Sequence, residues 1–212
     1  MVDESGVGRL INGQDQPVYR PMSELKLILE LYAEFEAKIQ RYGGDFFHPH
    51  CSVCTEICCH VDICREALES PFLELLRKDN PMLAKFNGEN GWLSDTGCTL
   101  SVGRPPVCYE FLCRDIIDTQ PTASHQYVFS VLAKLVSHIG KRAHRGKHIV
   151  EIIHIKQLDR VNLSTFEKRL QESMDAFDAI RSFNENHFLS SNHLQRLNRI
   201  QKITPKIARG MG

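Results

Sequence analysis

Five of the chain's eight cysteines and three of its histidines crowd into HPHCSVCTEICCHVDIC, residues 48–64. The other three cysteines stand in GCTLSVGRPPVCYEFLC, residues 97–113, and none occurs elsewhere in the 212 residues. Thiolates are nucleophiles, redox carriers and soft-metal ligands, so three chemistries compete: structural thiols or disulfides, a redox dithiol, or a metal cage. Cys51 and Cys54 form a C-x-x-C pair, which lets one tight turn present two sulfurs to a single ion at about 2.3 Å. One such turn leaves coordination half filled. The missing donors must come from Cys58, Cys59 and Cys64 nearby, or from Cys98, Cys108 and Cys113 across the chain.

Cys58 and Cys59 are adjacent, and two neighbouring side chains close one mononuclear site only with strain. A polynuclear cluster, or two nearby ions, would use both. Eight thiols equal two complete four-thiolate sets, and such sets suit iron–sulfur clusters and zinc alike. The thiolate excess favours an iron–sulfur cluster, with [4Fe–4S] first and zinc as the alternative. A redox dithiol at Cys58–Cys59 lacks the βαβ context expected of it. His48, His50 and His60 flank the first group as candidate ligands or outer donors, although the cysteines suffice without them. In the second group, GRPP is a rigid turn that directs Cys108 back toward the first, and Gly97 permits a close backbone approach. Arg104 is the candidate cofactor contact: its guanidinium can donate to backbone carbonyls or to cluster-bound sulfur, offsetting clustered negative charge. An ordinary surface arginine is the competing reading. Trp92 and Tyr109 are expected to pack against the site.

The run CSVCTEICC followed by GCTLSVGRPPVCYEF resembles the YkgJ-like cysteine-cluster family, whose members are described as zinc- or iron-chelating. The resemblance rests on Cys51, Cys54, Cys58, Cys59, Cys98 and Cys108, with Arg104 and Pro105 at its R-P step. It spans residues 51–113, and Cys64 and Cys113 are additions to the pattern. It implies a metal site and is nearly silent about reaction. A flagellin lysine methylase also resembles this family, which implies that such a module can sit within an enzyme.

Long helices must hold these loops. In SELKLILELYAEFEAKIQRYGG, Leu25, Ile28, Tyr32, Phe35, Ile39 and Tyr42 recur at three- and four-residue steps and share one face. Pro21 and Ser23 suit its start, and Gly43–Gly44 its end. Short helices are expected around REALES, FLELLRKDN and PMLAKFNG, with Pro71 and Pro81 between them. A third long helix is expected over SHQYVFSVLAKLVSHIG, with Val128, Leu132, Leu135 and Ile139 inward. HIVEIIHI reads as a strand or a helical turn. A fourth helix covers NLSTFEKRLQESMDAFDAIRSF, with Leu163, Phe166, Leu170, Met174, Phe177 and Ile180 facing the core. The fold class expected is mainly α, with cysteine-rich metal-binding loops held between long amphipathic helices. The division is a flexible lead over 1–20, one helical domain over 21–190 with its metal site at 48–113, and a basic C-terminal tail over 191–212.

Lysine and arginine number 26, as do aspartate and glutamate, so the formal net charge is zero. No electrostatic bias toward nucleic acid or anionic membrane follows. KRAHRGKH and the stretch after Ser190 are locally basic, but aromatic residues that would stack bases are missing there. Nucleic acid is therefore not the expected partner; the tail, with its stripe Leu194, Leu197 and Ile200, is the candidate surface for a protein partner. No segment has signal-peptide or transmembrane character, which gives a cytoplasmic expectation. P-loop, G-x-G-x-x-G, H-E-x-x-H and G-x-S-x-G motifs are missing, and no acid/base pair can be nominated from spacing. Whether the chain is catalytic stays open. The rival to a metal protein with redox or modifying activity is a zinc-structured module that docks a protein, or one that contacts nucleic acid.

Overall fold

The computed structural model describes residues 23–51, 59–78, 86–95 and 97–203, with backbone only at 47–51, 114 and 115. The protein is mainly helical: among the described residues there are ten α-helices and one two-stranded hairpin. Helix α1 spans Glu24–Cys51, and its first turn is held by Ser23, whose Oγ accepts from Lys26 N at 3.3 Å. Its stripe is the floor of the core. Ile28 and Tyr32 are fully buried, and Phe35 and Ile39 nearly so.

The helix does not stop at Gly43–Gly44; it runs on to Cys51. Aromatic packing carries it through the glycine pair. The Tyr42 and Phe46 rings lie 5.0 Å apart, and Phe46 meets Phe129 edge-on at 5.5 Å. Such ring pairs add about 0.5–1.5 kcal/mol beyond their buried area, enough to offset roughly 1 kcal/mol per helical glycine.

Helices α2 (Val61–Leu68) and α3 (Pro71–Lys78) follow the first cysteine segment. Pro71 occupies the first position of α3, where its missing N–H costs nothing. Phe72, Leu73 and Leu76 then turn inward, and Phe72 meets Tyr32 edge-on at 5.0 Å. Strands β1 (Leu93–Ser94) and β2 (Gly97–Cys98) form an antiparallel hairpin. Short helices α4 (Val107–Glu110) and α5 (Arg114–Asp118) lead to α6 (Ala123–Leu132) and α7 (Leu135–Gly140). The long helix expected over 124–140 is thus two helices, broken at Ala133–Lys134. Its inward residues Val128, Leu132, Leu135 and Ile139 are all buried. Every residue of α7 is buried, so the break lets a short helix sink into the core on all sides.

HIVEIIHI forms no strand. It is a 3₁₀ turn, Ile149–Glu151, followed by α8 (Ile155–Leu158). Helix α9 (Leu163–Asn186) starts at Asn162, whose Oδ1 accepts from Thr165 N at 2.7 Å, a standard N-cap. The stripes of α1 and α9 meet: Tyr42 packs edge-on to Phe177 at 4.9 Å, and Asn184 donates to the Tyr42 hydroxyl at 2.7 Å. Met174, expected inside, is 37% exposed.

Helix α10 (Ser191–Ile200) lies within the stretch expected as a basic tail, and it is part of the bundle. Leu197 is fully buried and Ile200 nearly so, while the Tyr127 hydroxyl donates to Gln201 O at 2.9 Å. Residues 1–22 and 204–212 lie outside the described residues, as do the expected Pro21 start and the PMLAK stretch. Among the described residues no helix is long and apolar enough to cross a membrane.

Candidate metal centre

Cys54 and Cys58 lie outside the described residues, and Cys51 is the last residue of α1 with its side chain not described. The other five can be placed. Cys59 precedes α2 and is exposed; Cys64, inside α2, is half-buried. Cys98 is in β2 and Cys113 precedes α5, both half-buried, while Cys108 is in α4 with an exposed side chain.

Three of the others influence Cys108. The Cys108 thiol is pushed from its ordinary 9.0 up to about 12, first by desolvation and then by Cys98, Cys64 and Cys59, with Arg104 opposing. Cys108 is exposed by surface area, yet desolvation is the leading influence on its thiol. Among the described residues no three His, Cys, Asp or Glu side chains stand in ligating arrangement.

Backbone geometry explains the convergence. Asn87 and Gly91 exchange hydrogen bonds of 2.7 and 2.8 Å, closing a turn that lies against α2. Arg65 fixes α2 to that turn by donating to Gly88 O at 2.8 Å. Cys64 then sits directly on Gly91: a Cβ there would lie 2.6 Å from its Sγ, and Gly91 has φ of +63°. Only glycine allows both the turn and the approach. The chain continues into the hairpin, where Leu93 pairs with Cys98 and Thr99 N donates to Trp92 O at 2.9 Å. Cys64 and Cys98 are thereby brought to one small β-turn unit.

Arg104 supplies the next link. Its Nε donates to Leu100 O at 2.9 Å and its NH2 group to Cys98 O at 3.1 Å, tying the turn before Cys108 to the strand bearing Cys98. Of the two acceptors expected for this guanidinium, backbone carbonyls are the ones it takes here. Cys108 N in turn donates to Pro105 O at 2.9 Å, opening α4.

Two further residues, not singled out from sequence, hold this loop. Glu36 of α1 is fully buried and accepts from Gly103 N at 2.8 Å, Arg104 N at 2.9 Å and the Tyr109 hydroxyl at 2.8 Å. Desolvation nevertheless outweighs these donors and raises its carboxyl above the ordinary 4.5. Arg77 of α3 donates to Gly103 O at 3.1 Å and Ala67 O at 3.0 Å, and its guanidinium lies 5.0 Å from the Trp92 ring centre. The sequence did hold a signal for Glu36. It stands four residues after Tyr32 and three before Ile39, a carboxylate inside an apolar stripe, and such a group requires donors.

Trp92 is buried as expected, stacked edge-on with Phe86 at 5.1 Å. Tyr109 does more than pack, being a donor to Glu36. His60 is exposed and caps α2 without a side-chain hydrogen bond; the side chains of His48 and His50 are not described. No protein-family model, curated protein or solved structure matches the chain.

Proposed function

We propose that the chain is a metal-binding protein in which thiolates of Cys59, Cys64, Cys98 and Cys108 hold an iron–sulfur cluster. The observation that carries this reading is the backbone arrangement that seats Cys64 on the Gly91 turn, runs from there into the hairpin bearing Cys98, and ties that strand through Arg104 to the turn before Cys108, with the influence of Cys98, Cys64 and Cys59 on the Cys108 thiol in support. A four-thiolate set without imidazole fits a [4Fe–4S] cluster, and it fits zinc as well. The resemblance of residues 51–113 to the zinc- or iron-chelating cysteine-cluster pattern supports the same chemistry. Cys51, Cys54 and Cys58 are the reserve for a second site. Cys113 is left outside the first.

The protein's own contribution is placement. Arg104 and the Gly91 turn fix where two of the sulfurs stand, and Arg104 adds a positive charge that favours the thiolate form of Cys108. Because the Cys108 thiol, with its raised pKa, must lose its proton to bind, metal uptake releases protons and strengthens as pH rises. The test is elemental analysis with absorption spectra on anaerobically purified protein and on Cys108→Ser and Cys113→Ser. Bound iron with a visible charge-transfer band, lost in Cys108→Ser and kept in Cys113→Ser, is expected. Zinc in place of iron would convert the reading to a structural thiolate site, and near-zero content of both metals would overturn it.

A further inference from the structure

A cleft of about 830 Å³ opens on the far side of the Pro105–Val107 turn, and among the described residues no cysteine lines it. Its volume lies within the range of small-molecule sites, roughly 300–1,000 Å³. Lys141, Arg142 and Arg169 line it, and Leu73, Pro106 and Val150 contribute apolar wall. Among the described residues none of these three cations forms an ion pair. Of the other charges in the wall, Arg199 pairs with Asp175 at 3.6 Å, the Glu151 carboxylate accepts from His148 N at 2.8 Å, and the Glu66 and Glu110 carboxylates are exposed to solvent.

Positive charge here is held against a cost. Burial, with Lys134 and Arg169 adding to it, pushes the Lys141 ammonium below its ordinary value against the pull of exposed Glu110. His138 also lines the cleft, is only 6% exposed, and sets Nε2 2.8 Å from Glu172 Oε2. Its buried Nδ1 has no hydrogen-bond partner, nor has the buried Nε of Arg169. Buried polar atoms are normally paired, so two orphans beside three cations without ion pairs leave the polar groups of this wall under-satisfied. A multiply charged oxyanion relieves the mutual repulsion of Lys141 and Arg169 more fully than a monocarboxylate does.

We propose that this cleft binds a small phosphorylated organic molecule, its phosphoryl group held by Lys141, Arg142 and Arg169 and its organic part laid on the apolar wall. The proposal does not depend on the cysteines. Calorimetric titrations of the full chain near physiological ionic strength would use glucose 6-phosphate and adenosine 5′-monophosphate, each against its unphosphorylated parent, and inorganic phosphate. At least one ester should bind, its parent should not, and inorganic phosphate should bind more weakly than that ester. Lys141→Gln and Arg142→Asn should each weaken the ester by about tenfold, as expected for loss of a charge-assisted contact. Arg142 is exposed with φ of +52°, which asparagine tolerates, so that variant keeps the test valid if Lys141→Gln fails to fold. Lys134→Gln, outside the cleft, should bind as wild type. Absence of binding by both esters, equal binding of ester and parent, or indifference to both cleft substitutions would overturn the site. Inorganic phosphate binding as tightly as the esters would overturn the role given to the apolar wall.

Discussion

Removing the Glu36 carboxylate should loosen the cysteine loop from the core. Glu36→Ala strips the acceptor from three donors at once: the N–H groups of Gly103 and Arg104, and the Tyr109 hydroxyl. Each donor left unpaired in a buried setting costs about 1–3 kcal/mol, so the gross loss is several kcal/mol. Against it stands the relief of no longer burying a charge, which is real because desolvation is the leading influence on this carboxyl. The net expected from removing one member of a buried charged network is about 3–5 kcal/mol. Tyr109→Phe isolates one of the three bonds without opening a cavity, and its loss should cost about 2 kcal/mol.

The pH dependence has a fixed sign. A carboxyl whose folded pKa is raised contributes stability that is fully present below its unfolded value and is lost as pH rises through the folded one. The stability gap between wild type and Glu36→Ala should therefore be widest in mild acid, near the ordinary 4.5, and should narrow as pH rises above it. Urea unfolding followed by circular dichroism at several pH values measures the gap, and hydrogen exchange over residues 98–108 locates it. A cost under about 1 kcal/mol, or a gap that widens with rising pH, would refute the assignment of Glu36 as the loop's anchor.

Two other outcomes follow from the same geometry. Gly91→Ala places a methyl group 2.6 Å from the Cys64 sulfur at a position with φ of +63°, so it should lower metal content while leaving the helical dichroism near wild type; unchanged content would detach Cys64 from the centre. Phe35→Ala, at a 3% exposed position in the α1 stripe, should cost about 3–5 kcal/mol in urea unfolding, and a loss below about 1 kcal/mol would mean the stripe is not core.

The helical stripes were legible in the sequence because burial repeats with the helix period: Ile28, Tyr32, Phe35 and Ile39 on α1, and Phe166, Leu170, Phe177 and Ile180 on α9, are all buried. What the period does not carry is which local rule tertiary contact overrides. Gly43–Gly44 reads as a stop on propensity, yet Phe46 beyond it reaches Phe129 and pays for the turn. The segment 135–140 reads as the continuation of one amphipathic helix, yet it is buried all round, a state that periodicity cannot distinguish. The basic residues of α10 hid a docked helix because its charges sit outside a stripe only three residues long, of which Leu197 and Ile200 are the buried part. Among the cysteines, clustering in sequence raises the expectation of a site, but the grouping proposed for Cys59, Cys64, Cys98 and Cys108 depends on the Gly91 turn and on Arg104, neither of which spacing reveals.

The peptide of Gly103 shows how the loop acquires its position without help from sulfur. Glu36 accepts its N–H from one helix while Arg77 donates to its carbonyl from another, so both ends of one residue are clamped between α1 and α3. Gly103 has φ of +77°, and a Cβ there would lie 2.8 Å from Arg77 Cγ and 3.2 Å from Leu73 O, so the clamp requires glycine. A segment with so little apolar content could be ordered by a bound metal. The clamp supplies a different source of order: a buried carboxylate and a buried guanidinium bind backbone, and backbone binding fixes Cys98 and Cys108 through the two carbonyls that Arg104 holds. Groups already fixed lose less entropy when a ligand arrives. The cost of immobilising the second cysteine group is then met by the helical core, and in the proposed site metal affinity would depend on the first group, where Cys59 and Cys64 flank the start of a helix only eight residues long.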